Sequence, residues 1–350
     1  MTIFIFLAVL LVCVIAHEWG HFFAARKFGM LVEEFGFGIP PRLWSWKKGE
    51  TKYSINALPV GGFVKIAGEN GVEEGIPANR QFDFKPWWQQ GIVLVAGVVC
   101  NMLLAFLLFT LAYKIGMPSA TTNGVPTIVS VSEGLPADEA GLVVGDKINK
   151  ITVDGKEVLP VSTDVLREHI QNNGKEVKIE YIRAGETKEV VLMPKEQNNS
   201  RMIGIAVETI GIVEMNLWQS MKAAWFQMIN ITTAIWDVLT SLIGQLFGGD
   251  KTSVGGLVGP VGLAKEVKGA ATIGFTYLLA FTAAISVNLA VLNILPFPAL
   301  DGGRLLVVLM EAIFRRKFSK KIVGLIHASG FIILIGLMVV LTIGDIRKIL

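Results

Sequence analysis

Apolar residues fall into four long stretches, Thr2–Ala25, Gly91–Tyr113, Phe275–Leu295 and Ile322–Ile343. A membrane-spanning helix needs about 20 mostly apolar residues, so the pattern predicts four spans. A fifth stretch, Leu217–Phe247, has Gln219, Lys222, Gln227, Asn230, Asp237 and Gln245 scattered through it. It reads as an amphipathic segment lying at the interface or packed on other helices. Between spans two and three the chain turns polar, from about Asn123 to about Val207. Short β-branched runs there, Thr127–Val131, Lys147–Val153, Glu176–Ile182 and Lys188–Met193, are divided by turn signals at Asp154-Gly155, Asn173-Gly174 and Ala184-Gly185. Thr163–Gln171 reads as a helix. The expected fold class is a mainly α-helical membrane protein with an α+β insert. Its expected parts are 1–122 (spans one and two), 123–207 (the insert), 208–274 (the amphipathic segment) and 275–350 (spans three and four).

Composition agrees with a membrane setting. The 350 residues are 52% hydrophobic and 17% charged, against roughly 45–50% and about 25% in soluble domains, so the lipid bilayer is an expected partner. A net charge of +3, with no basic run interleaved with aromatics, excludes nucleic acid. Cys13 and Cys100 both lie in apolar stretches and imply neither a disulfide framework nor a thiolate metal site. Ile3–Ala16 has the length of a signal-peptide core, but no Lys or Arg precedes it. It leads into His-Glu-Trp-Gly-His and not into a small-residue cleavage site.

Charge also orients the spans. Cytoplasmic loops carry excess Lys and Arg, and Arg26-Lys27 follow span one with nothing basic before it, which places the N-terminus outside. The run Arg315–Lys321 places the end of span three inside. The insert is then extracytoplasmic, and parity bars Leu217–Phe247 from crossing once. Arg347 and Lys348 at an outward C-terminus run against the rule, where later charges weigh less.

The strongest chemical signal is His17-Glu18-Trp19-Gly20-His21 at the end of span one. Residues four apart on a helix lie on one face about 6 Å apart in rise, so His17 and His21 can grip one cation, and Glu18 is placed to act on a water. Ionisable groups inside a span are costly and normally face an interior site. Ile3–Ala16 rises about 21 Å at about 1.5 Å per residue, which puts the site toward the cytoplasmic side. A catalytic zinc needs a third protein ligand. Asp301 is the expected one, because Asn293–Gly303 closes span three with Pro296, Pro298 and a glycine pair, a broken helix of the kind that lines a cavity. His327 is the competitor, read as making a helix–helix hydrogen bond, and Cys100 is a weaker candidate.

Two resemblances extend this reading. Gly134–Leu142 and Gly145–Gly155 resemble PDZ domains of bacterial envelope proteases. PDZ domains bind extended peptides as an added strand, and the resemblance implies a groove strand at Met202–Ala206, with Ile203, Gly204 and Ile205 binding substrate. Over nearly its whole length the chain resembles bacterial site-2 proteases, near the regulator-of-sigma-E protease type. The resemblance rests on His17–His21, Phe35–Gly38, Leu58–Phe63, Gly97 and Asn101, the single PDZ-like insert, Gly259–Val261 and Asn293–Gly303. It implies zinc held by His17, His21 and Asp301, with Glu18 as general base. It also implies a membrane-associated β-hairpin around Tyr53–Ile66 that presents substrate as an added strand. The implied setting is the bacterial inner membrane, and the implied substrates in regulated intramembrane proteolysis are anti-sigma factors or remnant signal peptides. Val98 departs from the family where a proline often stands, and some relatives carry two PDZ domains. Asn101 and Asn293 are candidates for holding the substrate strand or the oxyanion, or else for stitching helices together. Two other functions share some features: a metal or ion transporter, though no internal repeat is found, and a PDZ scaffold, which has no use for a metal constellation.

Overall fold

The computed structural model describes residues 2–246 and 259–349, apart from 70, 133, 159–161, 174, 184, 198–199 and 214. In chain order the elements are α1 (Thr2–Lys27), β1 (Val32–Lys48), β2 (Thr51–Ile66), α2 (Trp87–Ile115), β3 (Met117–Val131), α3 (Pro136–Glu139), β4 (Lys147–Val153) and β5 (Lys156–Glu157). They continue with α4 (Thr163–Asn173), β6 (Val177–Arg183), β7 (Glu186–Leu192), β8 (Lys195–Gln197), β9 (Ser200–Met202) and β10 (Ile205–Val213). Last come α5 (Leu217–Leu246), α6 (Pro260–Ile273), α7 (Phe275–Ile294), α8 (Asp301–Phe314) and α9 (Lys320–Ile349). The chain forms two compact units, Met1–Tyr113 with Asn216–Leu350, and Lys114–Met215.

In the first unit, four helical segments among the described residues are long and apolar enough to cross a membrane: Ile3–Lys27, Trp87–Ile115, Phe275–Ile294 and Lys320–Asp345. Helix α1 stops where Gly29 takes φ +69 and Met30 N returns to Ala25 O at 2.9 Å, a left-handed cap that glycine adopts without a Cβ penalty. Arg26 and Lys27 lie in its last turn, where the helix dipole favours cations. Val9 and Cys13 of α1 pack with Val267 of α6 and Ile285 of α7. Nearer its C-terminus, Phe22 and Ala25 join Val32, Ile66, Phe82, Val93, Leu94 and Val308 in a second core. Helix α5 buries Ser220, Ala224 and Met228 along one stripe and packs on α7. Asp345 of α9 accepts from Gly259 N at 3.2 Å and Gly262 N at 2.8 Å, capping the start of α6.

The second unit runs from Lys114 to Met215 and not from 123 to 207, the stretch 208–274 holds the end of β10 with α5 and α6, and two further differences bear on the site. Tyr53–Ile66 is not a hairpin by itself: it lies within the single strand β2, whose partner is β1. Both strands bend, so Phe35–Phe37 lie between Tyr53–Ile55 on one side and Gly62–Val64 on the other. Glycine and proline in both strands break the alternation by which a strand is recognised. The segment after span three is also a separate helix, α8, too short to stand out as a span.

The second unit is a sheet of order β10-β3-β4-β6-β7, with β5 on β4. Leu166 and Ile170 of α4 pack with Ile128, Ile151, Val177, Ile179 and Val207 in its core. The buried Asp146 takes both prongs of Arg183, Nε to Oδ1 at 2.7 Å and Nη2 to Oδ2 at 2.6 Å. This carboxylate holds the Arg183 guanidinium above its ordinary pKa. Edge strand β10 pairs with β3 as far as Val213 opposite Met117, so the unit's entering and leaving chains run side by side.

Candidate metal centre

One turn of α1 separates His17 from His21, and their Nε2 atoms lie 3.2 Å apart. Asp301, the first residue of α8, brings Oδ2 to 3.0 Å from His17 Nε2 and 3.3 Å from His21 Nε2. These three ligand atoms all lie within 4.8 Å of one another. His21 Nδ1 is 2.8 Å from Val93 O, a carbonyl that can only accept. The ring proton therefore sits on Nδ1, the tautomer that, as the neutral ring, turns the Nε2 lone pair toward the carboxylate as a metal ligand requires. With the neutral ring, two acceptors 3.3 Å apart suit a cation placed among them. Ligands about 2.0–2.1 Å from a tetrahedral metal sit about 3.3 Å from each other, so the donor set fits a three-ligand site with one position left open. Asp301 Oδ2 and His17 Nδ1 are buried and have no hydrogen-bond partner among the described residues.

Glycines make the room. A Cβ on Gly97 of α2 would lie 2.4 Å from His21 Nε2 and 2.7 Å from His17 Cε1, and one on Gly20 would lie 2.2 Å from Ala96 O. The two helices thus meet backbone to backbone, and the imidazoles fill the space a side chain at 97 would take. On the other side β2 runs past Glu18: a Cβ on Gly62 would stand 3.1 Å from Glu18 Cγ and 2.9 Å from Val14 Cγ1.

Asp301 is delivered by a tight turn. Helix α7 ends at Leu295, whose extended backbone (φ −61, ψ 142) is what a following proline requires. Phe297 N bonds to Leu295 O at 2.7 Å, Ala299 takes φ +78, and Leu300 leads into α8. A Cβ on Gly302 would sit 2.2 Å from Leu295 O, and one on Gly303 2.3 Å from Phe297 O, so the glycine pair lets α8 fold back on this turn. Arg304 pairs with Glu69 after β2, tying α8 to the end of the sheet. Burial pushes the Glu69 carboxyl above its ordinary range, and Arg304 beside it works the other way. Among the described residues the bond of His327 reaches a turn and not another helix: its Nδ1 accepts from Ala299 N at 3.0 Å. The turn's amide has no helical carbonyl to reach, and the imidazole is the acceptor that meets it.

Residues 5–337 match the sequence profile described as peptidase family M50. The chain belongs to peptidase family M50, the site-2 protease family. A Clostridium perfringens protein named as a candidate zinc metalloprotease is 34% identical to this M50 chain, over 95% of each. A Staphylococcus aureus protein of the same description is 31% identical over 99% of this chain and 98% of its own. The zinc metalloprotease RasP of Shouchella clausii is 29% identical over 99% of each. Among solved structures, the PDZ domain of an SdrC-like protein from Listeria monocytogenes is 25% identical and covers 25% of this chain and 92% of its own, with a TM-score of 0.21. Its counterpart from Listeria innocua is 30% identical over 24% and 93%, with a TM-score of 0.20.

The remaining residues of this M50 chain singled out by sequence are more scattered. Asn101, one turn beyond Gly97, is fully buried, and neither side-chain polar atom has a partner among the described residues. Its backbone oxygen accepts from Ser286 Oγ at 2.8 Å. Asn293 is half-buried near the end of α7. Cys13 is buried against Thr282 O, and Cys100 is half-buried. Ile203 and Gly204 precede β10, their carbonyls taken by Ala137 N and Ser132 N, and Ile203 packs in the core. Ile205 opens β10. At Val207 the free edge is already occupied, because Thr163 Oγ1 lies 2.9 Å from Val207 O and 2.6 Å from Val207 N. Sequence reasoning missed the tie from His21 to Val93, the space-making roles of Gly20 and Gly97, and the part played by His327.

Proposed function

We propose that this protein is an intramembrane zinc endopeptidase that cuts single-span membrane proteins. The observation that carries the reading is the convergence of His17 Nε2, His21 Nε2 and Asp301 Oδ2, with Glu18 beside them, on the end of an apolar helix. His17, His21 and Asp301 would hold the zinc. When bound, zinc supplies Lewis acidity that polarises a carbonyl and lowers the pKa of a water. Glu18 takes a proton from the attacking water and delivers it to the leaving amine.

A helical substrate hides its carbonyls in hydrogen bonds, so the reacting segment is extended. The Gly62–Val64 edge of the bent sheet passes Glu18 and suits an added strand. Asn101, whose buried amide has no partner among the described residues, and Asn293 hold that strand or the oxyanion. Exposed Leu43, Trp44 and Trp46 on β1 suit a sheet at the membrane interface. The basic loops orient the metal centre toward the cytoplasm and the Lys114–Met215 unit outward. That unit takes up peptide at the start of β10 as a PDZ-like module, and the substrates are anti-sigma factors or remnant signal peptides. The test is a tagged single-span peptide incubated with the purified protein in detergent. Cleavage that chelation stops and zinc restores is the expected result. Zinc flux into vesicles with no cleavage would make it a transporter.

A further inference from the structure

Helix α9 touches the rest of its unit at few places. Among its described residues only Gly330 and Asp345 are buried, and the rest are half-buried or exposed. Asp345 caps α6. The other anchor lies against the turn that delivers Asp301. A Cβ on Gly330 would stand 2.5 Å from both Pro298 Cβ and Pro298 O, so α9 meets this turn at backbone distance. His327, one helical turn earlier on the same face, accepts from Ala299 N at 3.0 Å.

Two physical requirements meet at Ala299. A non-glycine residue at φ +78 is strained and persists only where its surroundings over-determine it. Its N–H, at the broken end of a membrane helix, also needs an acceptor, and among the described residues no backbone carbonyl supplies one. His327 Nδ1 meets both needs, as the neutral tautomer with its proton on Nε2.

We propose that His327 is a positioning residue for the metal centre: by holding the Ala299 amide it fixes the turn that sets Asp301, two residues on, in reach of His17 and His21. Span four is thereby a strut for the third ligand. The inference rests on the zinc reading above. It concerns metal affinity, where loss of a partner that orients a ligand typically costs 10–100-fold.

The test uses the full-length protein in detergent, with zinc affinity measured by competition against a chelator and the thermal midpoint of the zinc-free form measured in parallel. His327→Phe keeps the ring and removes the acceptor; His327→Asn places an oxygen near the position of Nδ1. The expected result is zinc binding weakened about tenfold or more in His327→Phe and within about threefold of wild type in His327→Asn, with similar zinc-free midpoints. Equal affinity in His327→Phe and wild type overturns the proposal, as does equal loss in both variants. Should His327→Phe not fold, Gly330→Ala presses on the same turn: a tenfold loss supports the proposal and unchanged affinity overturns it. A wild-type protein that binds no zinc overturns the metal centre itself, and with it this role.

Discussion

At the scale of single residues, the centre depends on what is absent as much as on its ligands. Gly97 leaves the volume that the two imidazoles occupy, so Gly97→Ala should lower zinc affinity about 10–100-fold while leaving α2 helical, as measured by chelator competition and circular dichroism. Unchanged affinity would mean that α1 and α2 separate easily at this point. His17, Glu18 and His21 were legible in the sequence because helical spacing alone puts the two histidines on one face. Asp301 was legible because a carboxylate at the broken end of an apolar helix needs a reason to be there. Gly97, Gly20 and His327 were not, because their roles arise from contacts between helices distant in sequence. No local pattern marks a glycine whose missing Cβ is filled by a histidine from another span.

At the scale of elements, long apolar runs gave the spans to within a few residues, since lipid leaves a helix little alternative. The bent sheet was less legible. Its strands carry Phe35-Gly-Phe-Gly38 and Gly61-Gly62, and glycine suppresses the alternation that marks a strand. Gly62 also lets β2 approach α1. Gly62→Ala should press on Glu18 Cγ and Val14 and lower the cleavage rate at least tenfold with zinc content unchanged, a split that kinetics and metal analysis on one preparation would resolve. A loss of zinc would place β2 in the ligand scaffold instead. Strand β10 was seen only at its start: the expected groove strand Met202–Ala206 takes in Met202 of β9, Ile203 and Gly204 between the strands, and Ile205 and Ala206 of β10, whereas the pairing of Val213 with Met117 is a long-range register that only the folded chain reveals.

At the scale of the whole molecule, each unit has its own core, and no residue of the metal trio comes from Lys114–Met215. Because Met117 and Val213 are paired neighbours, replacing the unit with a short Gly/Ser linker should leave the membrane unit foldable. The expected outcome is preserved cleavage of a short single-span peptide and new cleavage of one with a bulky outer domain. A folded, zinc-loaded deletion variant that cleaves neither would make the unit part of the catalytic machinery. The central claim, that His17, His21 and Asp301 hold a zinc on whose site Glu18 acts as base, is tested most directly by the zinc content of two inactive variants. Glu18→Gln should keep about one zinc per chain and lose cleavage by about 10²–10⁴-fold, whereas Asp301→Ala should lose both zinc and cleavage. A zinc-free Glu18→Gln, or an Asp301→Ala that keeps its zinc, would contradict the account.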